Sequence, residues 1–111
     1  MLSASPATRI FVALNPIDMR AGFNTLHSYV QVVLQQAPTS GHYFLFTNRL
    51  RNRLRVLCWD GSGLWLATKR LERSSFAWPT GEGVSRCIRP EELQLLLHGI
   101  EGTPRRRWYR T

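Results

Sequence analysis

The stretch NRLRNRLRVLCWDGSGLWLATKRLER, residues 48–73, decides how this chain folds. Arginines stand at alternate positions, Arg49, Arg51, Arg53 and Arg55, and after the turn Asp60-Gly61-Ser62-Gly63 comes a second basic run, Lys69-Arg70-Leu71-Glu72-Arg73. Alternation is the period of a β-strand, so the charges gather on one face of a hairpin. Gly61-Ser62 suits the two central positions of a type II′ turn, with glycine supplying the positive φ, and Asp60 and Gly63 are then the last paired residues. That register sets Trp59 opposite Leu64, Leu57 opposite Leu66, Arg55 opposite Thr68, Arg53 opposite Arg70 and Arg51 opposite Glu72, all on one face. The half near the turn is apolar and joins a core. The far half holds Arg51, Arg53, Arg55 and Arg70 with Glu72 as its nearby acid. Like charges directly opposite destabilise a sheet by a few tenths to about 1 kcal/mol. The face is either a solvated charged surface or one that meets an anion, with a phosphate and Glu72 as the two candidates.

Working outward, residues 8–14 are β-branched and apolar between Pro6 and Asn15-Pro16, and read as a strand. Asp18 is placed to cap a long amphipathic helix over 19–36, in which Met19, Phe23, Leu26, Val30, Val33 and Leu34 recur at three- and four-residue steps. Gly22 falls inside its first turns, where close approach of another backbone accounts for it. Pro38 to Gly41 ends the helix, Tyr43 to Thr47 is a strand, and the hairpin supplies strands over 53–59 and 64–70. Val84 to Ile88 makes a fifth strand. Pro90 at a first helical position, Glu91 and Glu92 behind it and Gly99 at the end frame a short second helix. The expectation is a single α+β domain over residues 1–102, with a mainly antiparallel sheet of about five strands and the long helix packed on it. Residues 103–111 form a basic tail in which Arg105, Arg106, Arg107 and Arg110 accompany Trp108 and Tyr109. That tail either grips a nucleic-acid backbone or is a solvated end.

Composition fits one core and one domain: 111 residues, 43% apolar and 20% charged. Fifteen basic residues, fourteen of them arginine, against seven acids give +8. That balance favours a polyanion, because phosphate contacts supply most non-specific nucleic-acid affinity. No stretch approaches a membrane span or a secretory leader, so a cytoplasmic protein is expected, nucleoid-associated if it binds DNA. Cys58 and Cys87 lack CxxC spacing and read as free thiols, a disulfide between neighbouring strands being the alternative.

Catalysis is not written in the chain, and no cofactor or metal is expected. Asp18 and Asp60 are accounted for as a cap and a turn residue, leaving Glu72 as the acid beside the basic face, too few for a two-metal nuclease. His27, His42 and His98 stand alone without metal-ligand spacing, and no GxxxxGK[ST] or GxGxxG phosphate cradle occurs. Trp59, Trp65, Phe44 and Phe46 fall in strand patterns and read as core. Phe76 and Trp78 either plug one end of the sheet or, with Trp108, stack bases beside the basic patch.

Taken in order, Asp18-Met19-Arg20-Ala21-Gly22-Phe23, Ser40-Gly41-His42-Tyr43-Phe44-Leu45-Phe46, Leu54 to Leu64, Lys69-Arg70-Leu71-Glu72-Arg73 with Phe76-Ala77-Trp78-Pro79, and Leu96-Leu97-His98-Gly99-Ile100 run through almost the whole chain. This set resembles the short accessory proteins, called TnpB, of the bacterial insertion-sequence family numbered sixty-six. Two places depart from the family pattern: Ser74 stands where glycine often follows the Leu-Glu-Arg motif, and Asn48 to Asn52 replace a glycine-containing basic turn. The resemblance implies a non-catalytic protein encoded beside a DDE-type transposase, and it carries over no catalytic residue. Joined to the residue reading, it gives an accessory protein that binds DNA through Arg51, Arg53, Arg55, Lys69, Arg70 and Arg73, with the tail arginines as an auxiliary arm. The alternative is a module that docks on an acidic surface of the transposase and never touches DNA.

Overall fold

The hairpin forms in the expected register, and it is the edge of a larger sheet. The computed structural model describes residues 7–101. Its elements are β1 (Ile10–Ala13), α1 (Phe23–Val32), β2 (Tyr43–Thr47), β3 (Arg53–Trp59), β4 (Leu64–Arg70), β5 (Ser74–Ser75), β6 (Ser85–Ile88), α2 (Pro90–His98) and β7 (Ile100–Glu101). Five strands make one sheet in the order β4-β3-β2-β1-β6, and β5 and β7 pair separately.

The ladder between β3 and β4 runs from Trp59 opposite Leu64 to Arg53 opposite Arg70. Gly61 has φ +101, as the first central residue of a type II′ turn requires, and Asp60 N donates to Gly63 O at 3.1 Å. The Asp60 carboxylate locks this turn from the side. Its Oδ1 accepts from Ser62 N and Gly63 N, each at 2.9 Å, and from Ser62 Oγ at 3.1 Å, while Oδ2 accepts from the Trp65 indole at 2.7 Å. These donors, the Ser62 amide first, hold the carboxyl well below the usual carboxylate range. Trp65, expected in the core, is half exposed, because its ring lies against the turn to make that bond.

The sheet is mixed, with one parallel pairing that the sequence reading did not place. β1 and β2 run parallel, since the chain between them crosses over through α1, whereas β1–β6, β2–β3 and β3–β4 are antiparallel. Both faces are covered. On one, Phe11, Ala13, Phe44, Phe46 and Leu57 pack against Leu26, Val30 and Leu34. On the other, Ile10, Val12, Tyr43, Leu45, Leu54, Val56 and Ile88 pack against Leu93 and Leu96 of α2 and against Phe76 and Trp78. A sheet buried on both sides explains why β1 and β2 are buried at every position.

α1 is ten residues long, not the long helix of 19–36. Asp18 does not cap it: Oδ1 accepts from Arg20 N at 2.8 Å and the carboxylate takes the Arg20 guanidinium at 2.7 Å, so the chain makes a local turn before the helix can start. The Arg20 bond lowers the Asp18 pKa to about 2. Gly22 is the N-cap, with nothing within 4 Å of where its Cβ would lie, so it marks a boundary and no backbone contact. At the other end Gln35 takes φ +54, a left-handed residue that ends the helix. Cys58 and Cys87 are both free thiols, and burial pushes that of Cys58 up.

The loop before β3 is built on Asn48. Its Oδ1 accepts from Asn52 N and Arg53 N, each at 3.1 Å, and its Nδ2 donates to Asn52 Oδ1 at 2.7 Å. Inside this loop Arg51 adopts φ +56, so the expected pairing of Arg51 with Glu72 does not form and the ladder stops at Arg53.

These turns set how stability responds to pH and to backbone substitution. A carboxyl held acidic in the fold contributes stability that is present above the ordinary value of 3.8 and lost as pH falls below it. The urea midpoint is therefore expected to drop between about pH 5 and pH 2, and Asp60→Asn to flatten that drop, leaving the smaller contributions of Asp18 and of Glu92, which is held acidic by the Arg89 amide; an unchanged profile would count against the turn's role. Arg51→Gly removes the left-handed penalty of a residue with a Cβ and is expected to raise stability by about 0.5–1 kcal/mol, after the entropy cost of glycine is subtracted. A lower midpoint would contradict it.

Candidate nucleic-acid interface

The hydrogen-bonding rhythm of the hairpin determines which side chains stand closest. Asp60–Gly63 is a bonded pair at one end, and at the other Leu71 N donates to Asn52 O at 2.8 Å. Alternating between them, Arg53 and Arg70 occupy a non-hydrogen-bonded site, where Cα atoms approach to about 4.5 Å and side chains are nearest. Two exposed guanidinium groups thus share one position. Arg70 is partly answered by Glu72, whose Oε1 accepts from its Nε and Nη2 at 3.0 and 2.8 Å. This pair is more than half exposed on both sides, so water screens it and it stabilises little. Among the described residues, the Arg53 side chain forms no ion pair.

Two segments carry the surrounding charge. Phe76 N donates to Arg51 O at 2.7 Å, which, with the Leu71–Asn52 bond, lays the loop of residues 48–52 alongside residues 71–76. Exposed Arg51 and Arg73 are thereby brought to the end of the hairpin where Arg53 and Arg70 lie. Arg49, also exposed, lines a cavity of about 320 Å³ with Pro16, Ile17 and Asp18. The patch therefore comprises Arg51, Arg53, Arg70 and Arg73, with Glu72 at its margin.

Other candidates are placed differently. Arg55 is half-buried: its Nη1 donates to Ala21 O and its Nε is buried without a partner among the described residues. It pins the entrance of α1 to the sheet. Lys69 projects from the opposite face of β4, next to Leu54 and Ala67, and its Nζ donates to Leu97 O at 2.7 Å. A cation there answers the negative end of α2. Phe76 and Trp78 are 2% and 5% exposed, and the Trp78 indole donates to Ala13 O at 2.8 Å. No ring face remains for a base, so the stacking role considered for them is corrected to a core role. Arg105, Arg106, Arg107, Trp108 and Arg110 lie outside the described residues. Asn48, which builds the loop, was not among the expected residues; its signal was an Asx side chain opening a turn.

Among the described residues no group of three or more His, Cys, Asp or Glu could hold a metal ion, and no helix is long and apolar enough to cross a membrane. His42 Nδ1 accepts from Arg9 N at 2.9 Å, a structural bond at the start of β1.

Comparison with known proteins adds kinship. Two proteins of Sinorhizobium fredii (strain NBRC 101917 / NGR234), y4hO and y4jC, are similar to this chain. The first is 42% identical over 101 residues, covering 91% of this chain and 88% of the relative. The second is 39% identical over 103 residues, covering 93% and 88%. Both carry the description of an uncharacterized protein. No solved structure matches. The family model described as IS66 Orf2-like protein matches residues 8–107, a span that takes in the hairpin, the loop of Asn48 and both helices, and the chain belongs to that family.

Proposed function

We propose that this chain is a non-catalytic transposition accessory protein of an insertion sequence that binds DNA phosphates with the end of its hairpin and helps a separate transposase assemble there. Membership of the IS66 Orf2-like family supports the accessory role. The observation that carries the DNA-binding part is the Arg53–Arg70 pair. Folding has forced two cations into the closest cross-strand site, where each raises the cost of the other, and a phosphate lying between them removes that repulsion while accepting charge-assisted hydrogen bonds. Arg51 and Arg73 extend the contact along a backbone, and the arginines of residues 105–110 add charge to it. Phosphate contacts position a protein without reading bases, so little sequence preference is expected. Arg55 and Lys69 stand outside this set, because their cations are engaged with backbone carbonyls.

Fluorescence-anisotropy titration against an element-end duplex and a scrambled duplex tests this reading. Similar Kd values are expected for the two, weakening steeply between about 50 and 200 mM salt. Arg53→Ala/Arg70→Ala is expected to weaken binding and to reduce the slope of log K against log salt by about 2, one for each phosphate charge no longer neutralised. Affinity for neither duplex would move the basic face to an acidic surface of the transposase. A salt-independent Kd, or a double variant that binds like the parent, would remove DNA from the hairpin.

A further inference from the structure

We propose that the outer edge of β4 pairs with the same edge of a second copy of this chain, giving a symmetric dimer in which the two sheets become continuous. This inference is independent of DNA binding. β4 ends the sheet. The bonded pairs of the hairpin place the backbone groups of Trp65, Ala67 and Lys69 toward β3, so the N–H and C=O groups of Leu64, Leu66, Thr68 and Arg70 point outward. Among the described residues no strand pairs with that edge. An edge seven residues long is a ready template for another strand. The opposite edge is guarded: β6 has four residues, includes exposed Arg86, and is followed at once by Arg89 and Pro90. In β4 the only charges are at its last two positions, Lys69 and Arg70.

Those two charges select the partner. Antiparallel self-pairing about a two-fold axis through Ala67 is the register that matches all seven residues of both strands. It sets Leu66 opposite Thr68 of the second copy, Leu64 opposite its Arg70 and Trp65 opposite its Lys69, so no like charges oppose. The outward-pointing residues become the hydrogen-bonded pairs, and Trp65–Lys69 falls at the close, non-bonded site, where the indole can lie on the aliphatic stem of Lys69. The side chains fit as well. Trp65 is 50% exposed, and on its face of the sheet Leu54, Val56, Ala67, Lys69 and Leu97 line an open apolar cavity of about 310 Å³. A two-fold axis normal to the sheet keeps faces together, so each indole meets the cavity of the other copy beside Lys69. Both Arg53–Arg70 pairs then lie on one side of the joined sheet, the two Arg70 residues about 20 Å apart along the strand direction.

Light scattering coupled to size exclusion on the full chain is expected to give twice the 12.8 kDa chain mass as concentration rises through the micromolar range. Thr68→Pro removes an outward N–H and no bond to β3, and is expected to shift the mass to the monomer. The register is tested by oxidative cross-linking in a Cys87→Ser background. Ala67→Cys, on the axis, is expected to form a disulfide-linked dimer, and Lys69→Cys, about 14 Å from its counterpart, to stay reduced. A monomer at every concentration, an undiminished dimer in Thr68→Pro, or equal cross-linking at both positions would overturn the proposal.

Discussion

A carboxylate at the tip of a hairpin sets the geometry of everything near it. Asp60 gathers two backbone amides, a hydroxyl and an indole N–H, and so fixes Gly61-Ser62 as the turn. A slip of one residue would send every side chain of β4 to the other face. With the turn fixed, Leu57, Leu64 and Leu66 join the apolar layer under α1, Lys69 reaches the end of α2, and Arg53 meets Arg70. The basic site is thus a by-product of register, with the repulsive pair held in place by apolar packing at the other end of the same two strands.

That division of labour explains why the arginines near the hairpin differ so much in role. A sheet covered on both faces leaves few places for a long cation. Where the cover ends, at the open end of β3 and β4 and in the loops beside it, Arg51, Arg53, Arg70 and Arg73 are exposed. Two pairs further in, Arg55 is opposite Thr68 and Phe46 and the chain entering α1 lies over it. Its guanidinium is spent on the Ala21 carbonyl. Burial, rather than charge, separates the exposed arginines from the structural one here.

The hairpin was legible because its two signals, alternation and a glycine turn, are local and agree. Strands 43–47, 53–59 and 64–70 and the start of α2 at Pro90 were readable for the same reason. α1 was overextended because apolar spacing persists beyond the helix: Leu34 is buried with the helix residues although the backbone has already left the helical path, and no periodicity registers a left-handed Gln35 or an Asp18 turned toward Arg20. The two-residue strands β5 and β7 are too short to have a period. At the site, pattern gave the face of each arginine and not its acceptor, so Arg55 could not be told from Arg53. Lys69 alternates with Arg70 and so lies on the other face, a fact the register already contained. Phe76 and Trp78 were ambiguous because the strand that takes the Trp78 indole, β1, lies 65 residues away in sequence.

The place of β1 in the sheet governs how the chain can reach its native state. Ile10 pairs with Tyr43 on one side and with Ile88 on the other, so an early strand of the sheet is completed by its last one in chain order. The β3–β4 hairpin is closed by a short local turn, but the two edges of β1 are satisfied only across long loops, and non-local pairing of this kind is the slow, entropy-limited part of folding. Until β6 arrives, a strand buried at every position in the finished protein has an unpaired apolar edge. Closure of the sheet therefore waits for a late strand to lie against an early one, and truncation before β6 would leave the apolar edge of β1 open to other chains.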